Sequence, residues 1–152
     1  MKLFCLEQSQ IIPISLDEAW AFFSDPRNLA KITPPDLNLV PSSTVPDQMY
    51  AGMVMTYRVK IGPLIYTTWV TEISQVDAPQ FFVDEQRFGP YKFWHHQHRF
   101  ISCDEGVLAE DVIHYGLYGG PLASVINWMV VKRQLNGIFE YRKQVLEDLF
   151  GK

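Results

Sequence analysis

A chain of 152 residues has the length of one domain and can bury a sizeable core. It is 47% hydrophobic and 20% charged, the balance of a soluble globular protein, and its net charge of −4 excludes the basic stripe that a nucleic-acid surface needs. No apolar run approaches the roughly 20 residues of a membrane span.

Residues 3–12, LFCLEQSQII, read as a strand that Pro13 ends. Ser15-Leu16-Asp17-Glu18 has the form of a capping box, and Leu16, Ala19, Trp20 and Phe23 follow at helical spacing. The spacing predicts a short helix to about Ser24. Asp25-Pro26 marks a second, brief helix, stopped by Thr33-Pro34-Pro35. Six strand-like segments come next: 37–44, 53–60, 65–73, 81–87, 92–102 and 107–117. They are rich in Val, Ile, Thr and aromatics, and short turn signals such as Gly62-Pro63 and Asp104-Glu105-Gly106 separate them. Links this short favour antiparallel neighbours. After Gly119-Gly120-Pro121, the residues Leu122, Val125, Ile126, Met129, Val130, Ile138, Phe139, Val145, Leu146 and Leu149 mark one face of a long helix. About thirty residues make a rod of roughly 45 Å, enough to cover a curved sheet. The order predicts an α+β fold: a seven-stranded curved antiparallel sheet, two short helices and one long C-terminal helix enclosing a cavity.

Cys5 and Cys103 lack metal spacing and read as reduced, mostly buried thiols. Glu7, Gln8 and Gln10 interrupt the opening apolar run too early for a signal peptide, so a cytoplasmic protein is expected. Lys132, Arg133, Arg142 and Lys143 read as a solvated helix face.

The element order over residues 1–152, with the segment Ser15-Leu-Asp-Glu-Ala-Trp to Asn28-Leu29, resembles the START/birch-pollen-allergen superfamily, also called SRPBCC. Five segments look like one bacterial branch of it: Trp69–Ile73, Val83–Gln86, Gly89-Pro90-Tyr91, Trp94–Phe100 and Phe139–Arg142. The resemblance implies the helix-grip fold in a single ligand-binding domain. Members of that branch carry labels of the cyclase/dehydrase (polyketide cyclase-like) kind. The fold itself hosts lipid carriers, hormone receptors, cyclases and chaperone activators alike.

Three of the four histidines lie in FWHHQHRF, residues 93–100. A strand period of two puts Trp94, His96, His98 and Phe100 on one face, and their aromatic flanks point that face inward. His95 and Arg99 then face outward. Pairing Cys103 with Gly106 across the Asp104-Glu105 turn places His98 opposite Asp111, His96 opposite Ile113 and Phe100 opposite Ala109. A three-residue turn would put Val112 opposite His98 instead. His96, His98 and Asp111 admit three readings: a metal site, an acid/base pair in which Asp111 orients His98, or a buried polar network that anchors a ligand. No helical His pair and no cysteine ligand supports the metal, and none is expected. No nucleotide, flavin or phosphate-loop signature appears, so no cofactor is expected. Tyr57, Trp69, Thr71, Tyr115, Trp128 and Met129 join Trp94 and the histidines as candidate cavity wall. The leading expectation is a protein that binds a small apolar or aromatic molecule. A cyclase/dehydrase-type enzyme with His98 as general base comes second. An interaction module with a protein partner and no ligand comes third.

Overall fold

The computed structural model describes residues 1–152. Strand β1, Leu3–Ile12, leads into helix α1, Leu16–Phe23. The capping box is formed: the Glu18 amide donates to Ser15 Oγ, and the Ser15 amide donates to the Glu18 carboxylate at 2.9 Å. Asp25 caps the next turn by accepting from the Arg27 amide at 3.0 Å. The helix it starts, Pro26–Ile32, is a 3₁₀ helix. The strand expected over 37–44 shrinks to β2, Val40–Pro41, after a 3₁₀ turn at Pro35–Leu37. The prolines explain the difference. Pro34, Pro35 and Pro41 have no N–H to give a ladder, so this segment can serve only as the sheet's edge.

The remaining strands are β3, Met53–Gly62; β4, Ile65–Asp77; β5, Phe81–Phe88; β6, Phe93–Cys103; and β7, Gly106–Gly116. They form one antiparallel sheet in the order β1-β7-β6-β5-β4-β3-β2. Register breaks interrupt β3–β4 at Lys60/Gly62 and β4–β5 at Val70/Thr71 and Ile73/Gln75. Such bulges add twist and bend, which turns the sheet into a trough. The β6–β7 register follows the two-residue turn, with Cys103 opposite Gly106. Gly106 has φ 134°, and a Cβ there would collide with the Ile12 carbonyl oxygen, so only glycine lets β1 and the turn approach this closely.

Residues 120–150 are helical throughout but not uniformly so. A 3₁₀ turn at Gly120–Leu122 passes into α2, Ala123–Ile126, then a π-helical segment, Asn127–Val131, then α3, Lys132–Phe150. The wider π turns shift the inward face. The buried positions are Ala123, Asn127, Leu135, Phe139, Arg142 and Leu146. Leu122, Val125, Ile126, Met129, Val130 and Leu149 from the expected stripe are exposed. Arg142, read as solvated, is 8% exposed. Both cysteines are free and exposed rather than buried.

The core has two parts. One, including Ile12, Ala19, Met53, Met55, Phe82 and Phe100, packs under α1. The other, including Leu6, Trp94, Ile113, Tyr115, Leu135 and Phe139, packs under α3. Trp20 meets Phe82 and Phe100 edge-on at ring-centroid distances of 6.0 and 6.2 Å. Members of both clusters face a shared cavity.

Candidate functional site

Strand β6 sends Trp94, His96, His98 and Phe100 to the concave face, as its alternation requires. Its two neighbours each add one carboxylate to that face. Asp84 of β5 is paired with His96, and Asp111 of β7 is paired with His98. Because opposed side chains share a face, the four groups converge. His98 Nδ1 lies 3.1 Å from Asp111 Oδ1, so the expected neighbours do meet. The shorter contacts run along the diagonals. His96 Nε2 is 2.7 Å from Asp111 Oδ1, and His98 Nε2 is 2.6 Å from Asp84 Oδ2. Asp84 is therefore the principal partner of His98. Its other oxygen accepts from Trp94 Nε1 at 3.2 Å.

The imidazoles lie one over the other, with centroids 3.7 Å apart, and Phe82 stacks on the far side of His98 at 4.1 Å. From α3, Arg142 reaches in. Its Nη1 is 3.5 Å from Asp111 Oδ1 and its guanidinium stands 4.7 Å from the Phe139 ring centroid. Arg142 Nε is buried without any hydrogen-bond partner.

Burial shapes the charges of this cluster. It lowers the His96 pKa, and the neighbouring His98 charge lowers it further. Burial also works against His98, but hydrogen bonds to Asp111 and Asp84 outweigh it and raise the His98 pKa. Burial opposes ionisation of the two carboxylates too. The histidines outweigh it, holding Asp84 below the usual carboxylate range and Asp111 well below it. These shifts favour the charged form of His98 over that of His96, beside two ionised carboxylates and the Arg142 guanidinium. Nearby, burial pushes the Tyr57 phenol up to about 12.

A cavity of about 210 Å³ lies between this cluster, the segment 22–39 and α3. Of the residues singled out in the sequence, Tyr57, Trp69, Thr71, Trp94, His96 and His98 line it. Asp111 stands behind the histidines rather than in the wall. Tyr115 is only 1% exposed, with its hydroxyl donating to Asn127 Oδ1 at 2.7 Å. Trp128 and Met129 do not reach the site: they are 79% and 61% exposed, because the π-helical segment turns them to the outer surface. The sequence reading missed Asp84 and Arg142. Asp84 alternates with Phe82 on β5, a signal that becomes usable only with the β5–β6 register. Arg142 sits three residues after Phe139 and four before Leu146, on the same helix face.

Asp84, His96 and His98 bring donor atoms within 4.8 Å of one another, a set that could hold a cation. These donors are already engaged with each other, so a cation would have to displace the His98 proton and its hydrogen bonds.

Trp69 packs edge-on against Trp94 and Tyr91 at 5.2 and 5.6 Å. Trp69→Ala should enlarge the cavity and cost about 3 kcal/mol, the lower end for aromatic truncation because Trp69 is only partly buried. Urea denaturation reads the loss, and unchanged stability would show that Trp69 is no structural wall.

A trough-shaped antiparallel sheet closed by a C-terminal helix, with a cavity between them, is a helix-grip fold. Solved structures agree. Protein Ms6760 from Mycobacterium smegmatis superposes with a TM-score of 0.64 at 19% identity, covering 95% of this chain and 92% of that one. CV1439 from Chromobacterium violaceum gives 0.71 at 11%, covering 97% and 98%. A norcoclaurine synthase point mutant from Thalictrum flavum, in complex with a transition-state analogue, gives 0.67 at 10%, covering 97% and 96%. No family model matches the chain, and no curated protein does. No helix is long and apolar enough to cross a membrane.

Proposed function

We propose that the protein binds a small, mainly apolar molecule in the cavity between the sheet and α3. The carrying observation is the wall. Of its 29 residues, 20 are hydrophobic, so burial of apolar surface supplies the driving force, while Asp84, His96, His98 and Arg142 are left to orient the guest. A cavity of roughly 150 Å³ admits benzene, so about 210 Å³ suits a body of one or two rings. The transition-state analogue bound by the norcoclaurine synthase supports the reading by analogy of fold. The two exposed free thiols fit a reducing, cytoplasmic setting.

Native mass spectrometry of the purified protein, with tryptophan fluorescence titrated by naphthalene derivatives, tests this. Trp69 and Trp94 line the cavity and report on an occupant. Saturable quenching, or a bound mass released on denaturation, is the expected result. Failure of both would remove the binding reading.

The acid/base reading draws on one observation. His96 and His98 are pushed in opposite directions, as in sites that divide proton donor from acceptor. His98 in its charged form has both ring N–H groups turned to carboxylates, so it has no lone pair to act as a general base. In an enzyme it would serve as the acid. The unfilled interior favours a ligand over an interaction module.

A further inference from the structure

The polar cluster is short of acceptors. Three bases, His96, His98 and Arg142, face two carboxylates, Asp84 and Asp111. The other carboxylate in the cavity wall, Asp25, is occupied by Arg27 at 2.8 Å. Tyr57 adds only a neutral phenol. The shortfall falls on Arg142. The guanidinium carries five N–H donors, and its single protein partner is the Asp111 oxygen 3.5 Å away, already shared by both histidines. Its Nε–H has no acceptor, although the side chain is nine-tenths buried and forms part of the cavity wall. A buried donor left unmade is costly, so this is an unfilled site.

We propose that the ligand supplies the missing acceptor: a carboxylate on a compact apolar body, received by Arg142. The inference rests on the cavity being a binding site and adds the chemical class of its guest. A guanidinium offers parallel N–H donors in a fixed fork that matches the two oxygens of a carboxylate. A neutral carbonyl could satisfy Nε with one bond but would not engage the fork through two oxygens. The Phe139 ring beneath the guanidinium fixes its plane from one side. The apolar walls take the rest of the molecule.

The test compares naphthoate, its isosteric amide and naphthalene on the intact protein, by tryptophan fluorescence at about pH 7. The acid should bind about tenfold or more tightly than the amide, the preference of a charge-assisted pair over a neutral one. In Arg142→Gln that preference should vanish while the amide still binds. Arg142→Lys, which retains a buried cation without the fork, should keep only part of it. Equal affinity of wild type for acid and amide would overturn the carboxylate and leave the cavity reading intact. An acid preference that survives Arg142→Gln would overturn the role of Arg142. Binding of no probe at all would fail both readings together.

Discussion

Asp111→Ala should destabilise the protein by about 3–5 kcal/mol, the range for removing one partner from a buried charge cluster. The reason is what the aspartate leaves behind. Its Oδ1 faces His96 Nε2 at 2.7 Å, His98 Nδ1 at 3.1 Å and Arg142 Nη1 at 3.5 Å. After truncation, the guanidinium keeps no protein acceptor and the histidines share only Asp84. Urea denaturation measures the loss as a fall in midpoint at unchanged slope. Asp111→Asn separates shape from charge. It keeps an oxygen near the histidines but removes the negative charge that favours the His98 imidazolium, so the His98 titration should move down. Proton NMR of the rings reads this directly. An alanine variant as stable as wild type, or a His98 titration identical in Asp111→Asn, would mean that the cluster is not the electrostatic unit described.

Stability should pass through a maximum near pH 6.5 and fall more steeply on the acid side. The carboxylates Asp84 and Asp111 are lowered on folding, so their contribution is present above the unfolded carboxylate range. It is lost as pH falls through their folded values. Two such groups give a slope of up to about 2.7 kcal/mol per pH unit. His96 is also lowered: below about pH 6.5 the unfolded chain takes a proton that the folded one refuses, which weakens the fold further. His98 has the opposite sign. Its raised pKa contributes stability fully present below about pH 6.5 and lost as pH rises through the folded value. Urea midpoints taken at half-unit steps from about pH 2 to 8.5 check the curve, with each histidine replaced by Gln to remove its limb. A flat profile would show that the cluster titrates alike in folded and unfolded chains.

The fold was legible because local signals agreed with one another. Ser15 and Glu18 announce α1, and a two-residue turn at Asp104-Glu105 is one of two readings of the β6–β7 hairpin, the one that brings His98 opposite Asp111 and that the structure adopts. Three physical effects hid the rest. Asp84 depends on the β5–β6 pairing, which no tight turn specifies, so its approach to His98 is a non-local fact. In the C-terminal helix, a fixed 3.6-residue period cannot anticipate a π-helical segment. That period placed Met129 inside, and Trp128 beside it was counted with the cavity wall, although the helix changes phase at Asn127–Val131. Arg142 was hidden by its residue type, since a buried arginine is rare unless something pairs with it.

The site is divided between two kinds of scaffold. The acids and imidazoles sit on three adjacent strands, β5, β6 and β7, whose spacing of about 4.8 Å is set by the ladder itself. Much of the apolar wall comes instead from the loops and short helices of 22–39 and from α3. Substitutions in those outer segments can reshape the chamber without altering the distances among Asp84, His96, His98 and Asp111. In evolutionary terms the two parts are separable modules. The shape of the chamber can change through residues 22–39 while the electrostatic centre on the strands stays as it is.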